Sequence, residues 1–128
     1  MKIYNLERAQ AIDVGFQLGG EVVPIACDLD RAVRDYPRIS AELSAAYNAL
    51  READAATYDE RYVRFADVVR SLLDLMFGEN AEKVAAFFDY KWIELLIQIV
   101  PCLEEGVVPA IRDYSKAQQE KLLRMARK

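Results

Sequence analysis

Residues 59–78 read DERYVRFADVVRSLLDLMFG, and this stretch decides the fold. Tyr62, Phe65, Val69, Leu72 and Met76 recur at three- and four-residue steps, the period of one face of an α-helix. Val68, Leu73, Leu75 and Phe77 widen that face, so the spacing predicts a helix over 59–77 at the centre of a bundle. Gly78 is placed to end it and Asn80 to cap a short helix over 81–90, with Val84, Phe87 and Phe88 inward.

Downstream, Trp92, Ile93, Leu95, Leu96, Ile97, Ile99 and Val100 form a nearly all-apolar run, expected to be a helix buried on most sides. Pro101, Gly106 and Pro109 bend or end it. The last helix, about 110–126, has only a thin stripe: Ile111, Tyr114, Leu122 and Met125, interrupted by Gln118. Such a stripe suits a helix that projects, frays or meets a partner.

Upstream, residues 53–57 read as a turn, with Thr57 or Asp59 restarting the chain. Before it, Leu29, Val33, Tyr36, Leu43, Tyr47 and Leu50 stay in helical phase across Pro37. The segment 29–54 is therefore two helices or one kinked helix, capped by Asp28 or Asp30. Residues 12–18 alternate instead, with Ile12, Val14, Phe16 and Leu18 on one face. Gly19-Gly20 follows, a pair able to supply the positive φ angles of a two-residue turn. Pairing Leu18 with Glu21 sets Phe16 opposite Val23, Val14 opposite Ile25 and Ile12 opposite Cys27, so both strands turn one apolar face the same way. Pro24 falls on the other phase, which an edge strand tolerates. A lone hairpin is unstable in water, so its apolar face must lie on helices or on another chain.

The expected fold is therefore mainly α: a small bundle of four to six helices with an N-terminal β-hairpin. It is one domain over 1–128, with the hairpin at 12–27, the bundle at 28–109 and a projecting C-terminal helix at 110–128. No repeat, linker or low-complexity tract divides it.

Composition mostly excludes. The 128 residues include no histidine, which removes Ser-His-Asp and Cys-His hydrolysis, most zinc sites and Glu-x-x-His di-iron chemistry. Cys27 and Cys102 lie far apart and read as buried free thiols rather than a disulfide or a metal pair. The N-terminus lacks an apolar signal core, and the stretch Trp92 to Leu103 is broken by Glu94, Gln98 and Pro101, so a cytoplasmic protein off the membrane is expected. Residues 112–128 hold six cations against Asp113 and Glu120, net +4, which leaves net −8 on the rest of a chain of net −4. A basic end on an acidic body suits an interaction tail, or simply a helix C-terminus complementing its own dipole.

Catalytic raw material is thin. Glu79 and Glu82 form one Glu-x-x-Glu, a pairing that all-helical Mg²⁺-dependent nucleotide hydrolases use. Those enzymes add a second acidic motif, and Asp74, Asp89 and Glu94 do not form one. First-turn acids facing a helix dipole explain the pair equally well. The five glycines build no phosphate-cradling loop, and the serines have no base to activate them. Arg112, Lys116, Gln119 and nearby Arg127 share a face, as a nucleic-acid-binding regulator would require, but the acidic body repels phosphates. Tyr90 and Trp92, at a helix junction, are candidates for an interface anchor with one exposed edge. We expect no catalytic, cofactor-binding or metal-binding residues, and partner contacts at Tyr90, Trp92, Arg112, Tyr114, Lys121, Leu122, Arg124 and Met125.

The segment Phe65 to Trp92, with Leu72-Leu73-Asp74-Leu75-Met76-Phe77-Gly78-Glu79-Asn80 at its centre and Phe87-Phe88 in the short helix after it, resembles a helix–Phe-Gly-Glu–helix pattern. That pattern occurs in small tail-assembly chaperones and chaperone-like proteins of siphophages and prophages. The hairpin, the size and the trailing charged helix are similar too, while Asn80 stands where a second glycine is expected. The resemblance implies a non-enzymatic role: shielding helical tape-measure segments and recruiting tail-tube subunits in the bacterial host. Apart from the resemblance, the need to cover the hairpin face leaves a homo-oligomer open.

Overall fold

The computed structural model describes residues 1–7 and 12–127. Two strands, β1 (Gly15–Leu18) and β2 (Glu21–Pro24), precede five α-helices: α1 (Leu29–Arg51), α2 (Tyr58–Phe77), α3 (Ala81–Phe87), α4 (Trp92–Gly106) and α5 (Val108–Ala126). A single 3-10 turn, Gly78–Asn80, links α2 to α3. The chain is thus mainly helical with an antiparallel N-terminal hairpin. Three helices exceed 15 residues: α1 with 23, α2 with 20 and α5 with 19.

The hairpin pairs Leu18 with Glu21 and Phe16 with Val23, as alternation predicts, and Pro24 sits on a strand with one neighbour only. The Ile25 amide donates to the Val14 carbonyl at 2.8 Å, extending the pairing one step further. Gly19 takes a positive φ of 59° and Gly20 does not, so the turn needs only one glycine in that region. The apolar face lies on the helices of the same chain. Val23 is buried, and Phe16 packs edge-on to Phe77 with ring centroids 5.3 Å apart. Past the hairpin, the Ala26 amide donates to the Met76 carbonyl at 2.9 Å, and Lys83 pairs with Glu21 at 2.6 Å.

Asp28 caps α1, its carboxylate accepting from the amides of Asp30 and Arg31. Pro37 does not divide this helix, which continues to Arg51. Ile39, Ala46 and Leu50 form the buried stripe that meets α2. Neither Thr57 nor Asp59 caps α2 with its side chain. Asp54 organises the turn instead, its Oδ1 accepting from the Ala56 amide, the Thr57 amide and the Thr57 hydroxyl at 2.9 to 3.0 Å. Those bonds hold its carboxyl below the usual range, the Thr57 hydroxyl contributing most.

α2 is the central element, with eight buried residues from Phe65 to Phe77. Gly78 ends it at a φ of +56°, a backbone region that disfavours side chains. The short helix stops at Phe87 rather than at 90, because Asp89 and Tyr90 both turn left-handed, at φ 55° and 59°. Phe88 is buried as expected; Phe87 is not, and remains 52% exposed.

α4 corrects the expectation of burial on most sides. At 100° per residue, Trp92, Leu95, Ile99 and Leu103 fall on one stripe, and these are buried. Ile93, Leu96, Ile97 and Val100 fall on a second stripe about a quarter-turn away, and Ile93 and Ile97 remain exposed. A helix at the rim of a small bundle has neighbours on one side only. Pro101 lies within α4 and does not end it.

α5 is divided in its packing. Val107 and Ile111 are buried at its start, and the Tyr114 hydroxyl donates to Asp30 Oδ1 at 2.7 Å. Tyr114 thus meets the first turn of α1, so α5 outruns its neighbour there, and residues 119–127 are exposed throughout. The expectation of a projecting helix over 110–128 therefore holds only for the second half of α5, and Lys128 lies outside the described residues. The cysteine expectation is corrected at one position. Cys102 is exposed, while Cys27 is half-buried with its thiol pushed up to about 11, first by burial and then by Asp28.

Candidate partner-binding groove

The second stripe of α4 faces a groove of about 480 Å³ whose other walls are Leu43 and Tyr47 of α1 and Phe65 of α2. Its lining is mostly apolar: Ile93, Leu96, Ile97, Val100 and Pro101 on one wall, with the hydroxyl-bearing Ser44 and Tyr47 opposite. It exists because α4 packs against α5 and α2 and stands off from α1. Ile97 is 69% exposed, Ile93 43% and Tyr47 42%, so water covers surface that binding would bury.

Ser44 also lines a second hollow of about 600 Å³ between α1 and α5. Val33, Tyr36, Ser40, Ile111, Arg112, Ser115, Lys116 and Gln119 surround this one. The two hollows meet at Ser44 along α1, the first apolar and the second lined by apolar and polar side chains together, with Arg112 and Lys116 on its α5 wall. Burial lifts the Tyr36 hydroxyl above its ordinary value, with Glu104 adding to the rise. No protein-family model, curated protein or solved structure matches the chain.

The expected partner residues do not form one site. Tyr90 and Trp92 lie at the α3–α4 junction, where Arg70 of α2 covers them, its guanidinium carbon 5.7 Å from the Tyr90 ring centre and 4.8 Å from that of Trp92. Trp92 is buried, so it offers no exposed edge to a partner. Tyr90 donates its hydroxyl to Glu82, a bond that raises the tyrosine pKa, and Glu82 also pairs with Arg70 at 3.5 Å. The Glu82 carboxylate of the Glu79/Glu82 pair therefore already has two partners. Among the described residues no group of three or more His, Cys, Asp or Glu is placed to hold a metal ion.

Arg112, Lys116 and Gln119 do share a face, as their spacing implies, and that face turns toward α1. Tyr114 is tied to Asp30, which raises the tyrosine pKa. Lys121, Leu122, Arg124 and Met125 all lie on the exposed end of α5.

Sequence reasoning passed over Leu43, Tyr47, Phe65, Ile93, Leu96 and Ile97 as core. The signal was present in α4: seven apolar residues within nine positions, Trp92 to Val100, exceed what one buried stripe of a rim helix can hold.

Proposed function

We infer that this chain is a phage or prophage tail-assembly chaperone-like protein, working by protein–protein binding in the host cytoplasm and performing no chemistry of its own. The observation that carries this reading is the open apolar groove between α1 and α4, with Ile93 and Ile97 exposed on its wall. Grooves of this kind receive the apolar stripe of an amphipathic helix. Helical tape-measure segments, left without their own partners before the tail forms, are clients of that description, and tail-tube subunits are the second expected partner.

One further feature supports it: Phe77-Gly78-Glu79 lies at the tight α2–α3 junction. Among the described residues no helix is long and apolar enough to cross a membrane. The test is co-expression with helical segments of the tape-measure protein from the same genome. The wild-type chain should keep such a segment soluble and co-purify with it, and Ile97→Asp should lose both effects. Equal solubility with and without the chain would overturn the reading.

A further inference from the structure

The second hollow, between α1 and α5, differs from the groove in its chemistry. Its floor is apolar: Ile111 is buried, and Val33, Tyr36 and Val108 are half-buried. On the α1 wall Pro37, Ser40, Ala41 and Ser44 recur at helical spacing, with side chains too short to reach across, so the space stays open. On the α5 wall Arg112 and Lys116 stand one turn apart. The Tyr114–Asp30 bond ties α5 to the first turn of α1 and fixes the distance between the walls.

The two cations lack partners of their own. Among the described residues no carboxylate lines the hollow, and Glu104 acts on the Tyr36 hydroxyl from outside it. Arg31, Arg34 and Arg38 on α1 pair with Asp35 and Glu42, whereas neither Arg112 nor Lys116 forms an ion pair among the described residues. A wholly apolar ligand would leave both charges unanswered, and a bare inorganic anion would leave the floor wet.

We propose that this hollow binds an amphipathic organic anion, its apolar body on Val33, Tyr36 and Ile111 and its acidic head against Arg112 and Lys116. The volume, about 600 Å³, lies within the range of pockets that hold small molecules. The planar fork of Arg112 can donate two parallel bonds to a carboxylate or phosphate, and Lys116 adds a compact charge beside it. Ser40 and Gln119 supply further donors at the rim. The hollow shares only Ser44 with the α1–α4 groove, so the inference does not rest on the reading of that groove as a client site.

Two fluorescent probes test it: anilinonaphthalene sulfonate, an aromatic body with one anionic head, and phenylnaphthylamine, the same body without the head. The wild-type chain should bind the sulfonate saturably, and more weakly as salt rises. The double variant Arg112→Ala/Lys116→Ala should bind the sulfonate about tenfold more weakly and the amine as the wild type does. Both side chains are exposed, so the variant should melt with the wild type. Amide resonances of residues 33–44 and 108–119 should shift on addition of the sulfonate. Octanoate or octyl phosphate should displace it from the wild type where octanol does not, and the stronger competitor identifies the head as carboxylate or phosphate.

Equal sulfonate affinity in the wild type and the double variant overturns the proposal. So does an equal loss for both probes, which would show damage to the hollow rather than loss of a charge contact. Displacement by octanol to the same extent, or shifts centred on Ile93 and Ile97, would likewise overturn it. None of these results bears on retention of a tape-measure segment, which Ile97→Asp tests separately.

Discussion

Shortening α5 at two points separates its packed half from its projecting half. Ending the chain after Gln118 removes residues that are exposed from Gln119 to Arg127 and leaves Ile111 and the Tyr114–Asp30 bond in place. Ending it after Pro109 removes Ile111, which is 6% exposed, and uncovers the half-buried Val33 and Tyr36 of α1. Burying one isoleucine side chain is worth about 1.5–3 kcal/mol, and with the cover lost from α1 the longer cut costs on the order of 3 kcal/mol. For a 128-residue chain each kcal/mol moves Tm by about 4 °C. The cut after Pro109 should therefore lower Tm by on the order of 10 °C, and the cut after Gln118 by less than about 2 °C. Thermal scans followed by far-UV circular dichroism read both. If the Pro109 truncation melts with the full-length protein, Ile111 is not part of the core and the account of α5 fails. If the Gln118 truncation loses as much as the longer one, the projecting half is packed against something after all.

Phe16→Asp places a charge against Phe77 and should cost about 2 kcal/mol or more, lowering Tm by roughly 8 °C; an unchanged Tm would show that the hairpin face is not packed on α2. Arg70→Ala uncovers Trp92, the only tryptophan, so its emission should shift to the red and become easier to quench, and unchanged emission would refute the stacking. At neutral pH alkylation should run in two phases, fast at exposed Cys102 and slow at Cys27, with Cys102→Ser abolishing the fast one. The Cys27 thiol is raised from 9.0 to about 11 in the folded chain, so its contribution to stability is complete below pH 9 and is lost as pH climbs toward 11. A Cys27→Ser variant with the same alkaline stability profile as the wild type would refute that link.

What the sequence made legible follows from periodicity. The alternation of 12–18 against 21–27 admits one register, because slipping by one residue exposes every apolar side chain, and from Val14 to Ile25 that register is the one formed. The helix from Tyr58 to Phe77 was legible for the same reason, since eight apolar side chains on a wide face admit only a central position. The ends of elements were harder. Asp89 and Tyr90 stop α3 in left-handed backbone without a glycine to announce it, and Pro37 sits inside α1 without dividing it.

Burial around a helix was the least legible feature. Hydrophobicity fixes that Ile93 and Ile97 seek cover, but not whether the chain itself has an element left to supply it. Trp92 was misplaced for the converse reason: nothing in its own segment reveals that Arg70, more than twenty positions upstream, lies across its face. The groove therefore emerged only with the placement of α4 relative to α1, while the exposure of the α5 end agrees with its thin stripe.

The central claim is that the α1–α4 groove is the surface by which this protein binds a helical client. The most direct test is the affinity of a labelled helical tape-measure segment for the wild-type chain and for Ile97→Asp, measured by fluorescence anisotropy in dilute solution. Covering Ile97 in a complex is worth about 1.5–3 kcal/mol, so the variant should bind at least about tenfold more weakly. Its Tm should match that of the wild type, because the side chain touches water in the free protein. Equal affinity for the two proteins would contradict the claim.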